Sequence, residues 1–149
     1  MLHLQDIPKG YALCFADKTT CPKAESCLHA IAAQVLSQSP RPESIIQVVN
    51  PHYLRSLATP EQCKYYRNNR PVRFATGMTH LFDELPLKLS AQVRRNVMTC
   101  FSCESYFYSS RKGARLITPE EQQRIRDVFR KAGIKTDPTF DRYIDKENW

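Results

Sequence analysis

Four of the six cysteines in this 149-residue chain, Cys14, Cys21, Cys27 and Cys63, follow the pattern C-x6-C-x5-C-x35-C. Four thiolates suit the tetrahedral corners around a zinc ion, at about 2.3 Å from the metal. The same four would hold an iron–sulfur cluster, and ordinary buried or free cysteines are the third reading. The spacing is not that of a common zinc finger. Four protein ligands leave no open position, so such a site is structural and would pin the N-terminal segment and the first helix to the second. Cys100-Phe101-Ser102-Cys103 is a C-x2-C that could serve as a redox pair or half a metal site. It lacks a matching pair, and Cys100 falls on an apolar helix face, so core packing is the favoured reading. His3, His29, His52 and His80 are isolated; His29 could replace a thiol as ligand but reads as a helix-surface residue. There is no serine–histidine–acid arrangement, glycine-rich phosphate loop or H-E-x-x-H helix. The reading leans away from an enzyme.

The elements that must position the thiols follow from local signals. Residues 1–13 read as an irregular lead-in anchored by Tyr11 and Leu13. A helix is predicted from Cys21, with Pro22 at its first position, where a missing N–H costs nothing. Its apolar face is Ala24, Leu28, Ile31 and Val35, and it stops before the proline-bearing segment 37–44. This start places Cys21 at a helix N-terminus, which favours the thiolate. The β-branched run 45–49 is the best strand candidate. Thr59-Pro60-Glu61-Gln62 predicts a second helix start, with Cys63 in the first turn.

Further along, Phe74, Met78, Leu81, Phe82 and Leu85 recur at helical spacing and predict a helix over 71–85. A second helix covers 87–101, with Leu89, Val93, Val97, Cys100 and Phe101 on one face. Residues 106–117 read as a β-hairpin turning at Gly113. Thr118 and Glu121 form a capping box for a last helix whose core face is Ile125, Val128, Phe129 and Ala132, ending at Gly133. Phe140, Tyr143, Ile144 and Trp149 should dock on the body. The fold class expected is α+β: one mostly helical domain over 1–149, with a small sheet or hairpin and an N-terminal four-cysteine site.

The formal net charge is +7, and its location narrows the choice of partner. Residues 1–63 and 116–149 are each balanced, whereas 64–115 holds ten bases against three acids. A field of that sign attracts nucleic acid first; an acidic protein surface and a solvated face without a partner are the other readings. Aromatic residues interleave with the bases, and bases of a nucleic acid stack on exposed rings while arginines hold phosphates. Arg67, Arg70, Arg73, Arg94, Arg95, Arg111 and Lys112 are the candidate contacts. No apolar run approaches the length of a membrane span. The first residues lack the basic head and apolar core of a secretory signal, so the expected location is the cytoplasm, where clustered thiols favour metal or redox chemistry over disulfides.

At Cys14, Cys21-Pro22, Cys27-Leu28, Cys63-Lys64-Tyr65-Tyr66-Arg67, Thr79-His80-Leu81 and Thr118-Pro119-Glu120-Glu121, the chain resembles a family of small uncharacterised four-cysteine proteins of Bacteroides-type bacteria. The likeness runs from about Tyr11 to Trp149. It implies that Cys14, Cys21, Cys27 and Cys63 are the shared cysteines and that Cys100 and Cys103 stand outside that set. It implies no activity.

Overall fold

A computed structural model describes residues 2–40 and 43–149, so Arg41, counted in the charge balance above, lies outside the described residues. The chain is α+β, with helix prevailing over one two-stranded antiparallel sheet. It divides into two compact units, Met1–Arg70 with Glu147–Trp149, and Pro71–Lys146. Among the described residues no helix is long and apolar enough to cross a membrane.

The first unit is built from turns around one helix. Helix α1 is Leu28–Ser37, with Cys27 as its N-cap. The predicted start at Cys21 is therefore corrected: Cys21 and Pro22 lie in a turn, followed by a single 3-10 turn over Ala24–Ser26. It is Cys27 that sits at the helix N-terminus. The packed face is also different, because Leu28, His29, Ala30, Ala32 and Ala33 are buried whereas Ile31 and Val35 are only half-buried. Helix α2, Pro51–Ser56, was not anticipated; the Asn50 side chain accepts the His52 N–H at 2.9 Å, and Pro51 takes the first position.

Residues 45–49 do not form a strand. Their only β contact among the described residues is the bridge between Leu13 and Val48. The Leu13 N–H donates to the Gln47 carbonyl, and the Val49 N–H donates to the Leu13 carbonyl, each at 2.8 Å. β-Branched composition fits a pleated surface only when a partner strand runs alongside, and one residue of the lead-in does not supply it. The predicted helix at Thr59 is likewise a single 3-10 turn, Pro60–Gln62, with no side-chain cap; Cys63 follows it in extended conformation.

The second unit holds the larger core. Strand β1, Val72–Thr76, replaces the helix predicted over 71–85. Phe74, Ala75 and Thr76 are all buried, so the strand lacks the alternation that would have marked it. Gly77 ends it at φ +78°, a left-handed value, and a Cβ there would collide with the Asp141 carboxylate. The partner strand β2, Arg142–Lys146, pairs Phe74 with Ile144 and Ala75 with Tyr143.

Helix α3, Leu87–Met98, starts where predicted and buries Val93 and Val97, but it ends before Cys100 and Phe101, which are buried in the turn beyond it and not on a helix face. The predicted hairpin is instead helix α4, Glu104–Arg111; Gly113 does take a positive φ, but just past a helix end. Phe107 enters the core against Phe101, ring centroids 5.9 Å apart. Helix α5, Pro119–Lys131, keeps its predicted capping box: Thr118 Oγ1 accepts the Glu121 N–H at 3.2 Å, and the Glu121 carboxylate accepts the Thr118 N–H at 3.0 Å. Gln122 ties α5 to the strand, donating to the carbonyls of Arg73 and Ile117.

Candidate metal centre

The four predicted ligands all lie in the first unit, where hydrogen bonds tie the segments bearing Cys14 and Cys63 to the start of α1. The Cys14 N–H donates to the His29 carbonyl at 3.0 Å. The Leu28 N–H donates to the Arg67 carbonyl at 2.8 Å, and the Asn69 N–H to Ser26 at 3.0 Å, which brings the Cys63–Arg67 turn alongside Cys27. The Cys21 N–H closes the preceding loop onto the Asp17 carbonyl at 2.7 Å. Within that loop, Asp17 Oδ1 accepts from Thr19 and Thr20 through both hydroxyls and both N–H groups. These bonds, the Thr19 hydroxyl foremost, hold the Asp17 carboxyl down at about 2.

The thiols are free, with Cys14 and Cys27 buried and Cys21 and Cys63 half-buried. Burial pushes the Cys14 thiol up; an N–H from Ala16 opposes this, and the charges of Cys27, Cys21 and Cys63 each raise it further. The four sulfurs thus share one electrostatic neighbourhood. They do not stand at ligand distance: among the described residues no three His, Cys, Asp or Glu side chains are set to hold a metal ion. Four thiols are a donor set suited to zinc, and binding there would require deprotonation and inward movement.

His29 corrects the expectation of a helix-surface residue. It is 7% exposed, its Nδ1 donates to the Ala12 carbonyl at 2.5 Å, and its ring stacks on Tyr11 at 4.4 Å. The signal in the sequence was its setting: Leu28, Ala30, Ala32 and Ala33 leave little of the helix polar. The Tyr11 hydroxyl is enclosed without a hydrogen-bond partner. Burial first, and then the charge of Cys27, lift its pKa to about 12, against the pull of Arg67. His29 also meets Tyr65 edge-on, and the rings continue to Tyr53, whose hydroxyl accepts the Lys64 N–H at 3.1 Å. The Lys64 ammonium lies 5.1 Å and 5.5 Å from the Tyr65 and Tyr53 ring centres. These neighbours of Cys63 were not singled out from the sequence as supports of the site.

The candidate polyanion contacts divide between the units. Arg67 and Arg70 are exposed residues of the first unit. In the second, Arg73 covers the Tyr143 ring at 4.8 Å, Arg94 and Arg95 lie on α3, Arg111 ends α4 and Lys112 caps it. Arg115, part of the same charge excess, is committed to a bidentate pair with Glu121, both bonds at 2.9 Å. In the C-x2-C, Cys100 is buried in the second core and Cys103 is exposed at the N-cap of α4.

No curated protein and no solved structure matches the chain. A family model does match, over residues 1–149, and the chain belongs to that family, described as a family of unknown function, DUF6078.

Proposed function

We propose that this chain is a non-enzymatic, zinc-stabilised module that binds nucleic acid through basic residues of the 64–115 region. Cys14, Cys21, Cys27 and Cys63 are its metal ligands. The observation that carries the metal reading is that backbone hydrogen bonds bring the segments bearing Cys14 and Cys63 alongside the start of α1, where Cys27 is the N-cap. Zinc binding would exchange the four thiol protons for one cation, which offsets the repulsion that four thiolates alone would meet in a half-buried site. Lys64 sits next to Cys63, and Arg67 closes the same turn. Both would offset the net negative charge of a four-thiolate zinc site. The nucleic-acid part rests on the charge distribution and on exposed aromatics, Tyr65, Tyr106 and Tyr108, beside the arginines.

Elemental analysis of protein purified without chelator tests the first part. The expected result is one zinc per chain, with Cys21→Ser losing metal and stability together; a variant of normal metal content contradicts the assignment, and stoichiometric iron replaces zinc with a cluster. Binding to a mixed-sequence oligonucleotide at graded salt tests the second. Affinity should fall steeply with salt and weaken in Arg94→Glu/Arg95→Glu. Absence of binding at low salt removes nucleic acid as the partner.

A further inference from the structure

The first unit contains a cleft of about 420 Å³ between the 15–20 loop, residues 48–49 and α2. That volume lies within the range of small-molecule sites. Its lining is mostly hydrocarbon: Phe15, Val48, Val49, Pro51 and Leu54. Phe15 is 57% exposed and Val48 43%, so apolar surface at this concavity stays in water, at roughly 25 cal/mol per Å².

Arg55 is the one lining residue that carries a formal charge. None of the ion pairs among the described residues uses it. Asp17, the acid of the adjoining loop, has its Oδ1 occupied by Thr19 and Thr20. A guanidinium presents a planar fork of donors that matches a carboxylate. An apolar cleft with one such fork selects a molecule with a hydrocarbon body and a single carboxylate end.

We propose that this cleft binds a medium-chain fatty acid, its alkyl chain against Phe15, Val48 and Leu54 and its carboxylate on Arg55. The 15–20 loop that forms one wall is bracketed by Cys14 and Cys21, and α2, which forms another, carries Tyr53, whose hydroxyl holds the residue after Cys63. The binding argument does not depend on the metal reading, since it uses only the cleft and its charge.

The test is amide NMR titration of the full chain, as purified, with decanoate below its micelle concentration. Saturable shifts confined to residues 15–20 and 48–55 are expected. Arg55→Gln should weaken decanoate about tenfold and leave the spectrum of the free protein otherwise unchanged, because Arg55 is exposed on α2. 1-Decanol, which keeps the chain and lacks the charge, should bind correspondingly less well. Shifts that do not saturate or that spread over both units overturn the proposal, as does equal binding of decanol or an undiminished affinity in Arg55→Gln. A decanoylated peptide amide that binds as tightly as decanoate also overturns it.

Discussion

The second unit is filled with large side chains and the first is not. Among the described residues, the largest fully buried side chains are Phe107, Met78, Ile117, Ile125, Val93, Val97 and Ser110 in the second unit, but only Leu28 in the first. The buried residues of the first unit's clusters are Leu13, Ala32 and Ala33, and Ala24, Cys27 and Ala30. Burial stabilises by about 0.8 kcal/mol per methylene, so an alanine-lined interior contributes far less than a phenylalanine-lined one. Small folds with so little hydrocarbon inside commonly rely on a metal or disulfides, and the first unit is where four thiols gather.

With zinc bound at the four thiols as proposed, the comparison predicts that metal removal would act on the first unit alone. Apparent zinc binding to a structural site of this kind is about 10–16 kcal/mol, the largest effect expected anywhere in the chain. After chelation, hydrogen exchange at Cys14, Leu28 and Asn69, whose N–H groups bond between the cysteine-bearing segments, should rise to unprotected rates. The Ala75 and Ile117 amides, which exchange hydrogen bonds at 3.0 and 2.8 Å in the second unit, should keep their protection. Equal loss in both would dissolve the distinction. The complementary change is Phe107→Ala. Phe107 is fully buried, and its truncation should cost about 3–5 kcal/mol, read as a lower denaturation midpoint for the second unit. The metal content should not move.

What could be read from the sequence was whatever local chemistry decides. Helix α5 carries a capping box, a proline at its first position and a terminal glycine, and all three act within a few residues of one another. Helix α3 has an unambiguous apolar face. Strand β1 was missed because it is buried on both faces, while Phe74, Met78 and Leu81 happen to fall at helical spacing through a strand, a glycine break and a turn. Strand β2 has all five residues exposed, so no pattern in Arg142–Lys146 announces it; its partner lies some seventy residues earlier. Tyr106-Phe107-Tyr108 has strand composition, and the burial of Phe107 and Ser110 on one side of α4 overrides it. At the candidate centre the cysteine pattern itself was legible. The helix start was not, because Pro22 suits a turn as well as a first helical position, and that moved the thiol at the α1 N-terminus from Cys21 to Cys27.

The smallest expected effect gives the second unit a reporter of its own. His80 lies in the turn that replaced the predicted helix, with Nδ1 bonded to Asp83 Oδ2 at 2.7 Å. That hydrogen bond first, then the Asp83 charge and more distantly Asp141, raise the imidazole pKa above its ordinary value. Because the folded pKa is the raised one, the pair's stabilisation is fully present below the unfolded value of about 6.5 and fades as pH rises through the folded value. NMR titration should find His80 above the ordinary imidazole value, and Asp83→Asn should bring it down. Chelation should leave the wild-type titration in place, since His80 and Asp83 belong to the unit that holds its shape by hydrocarbon. A His80 titration that collapsed with the metal would mean that the second unit, too, depends on the thiols of the first.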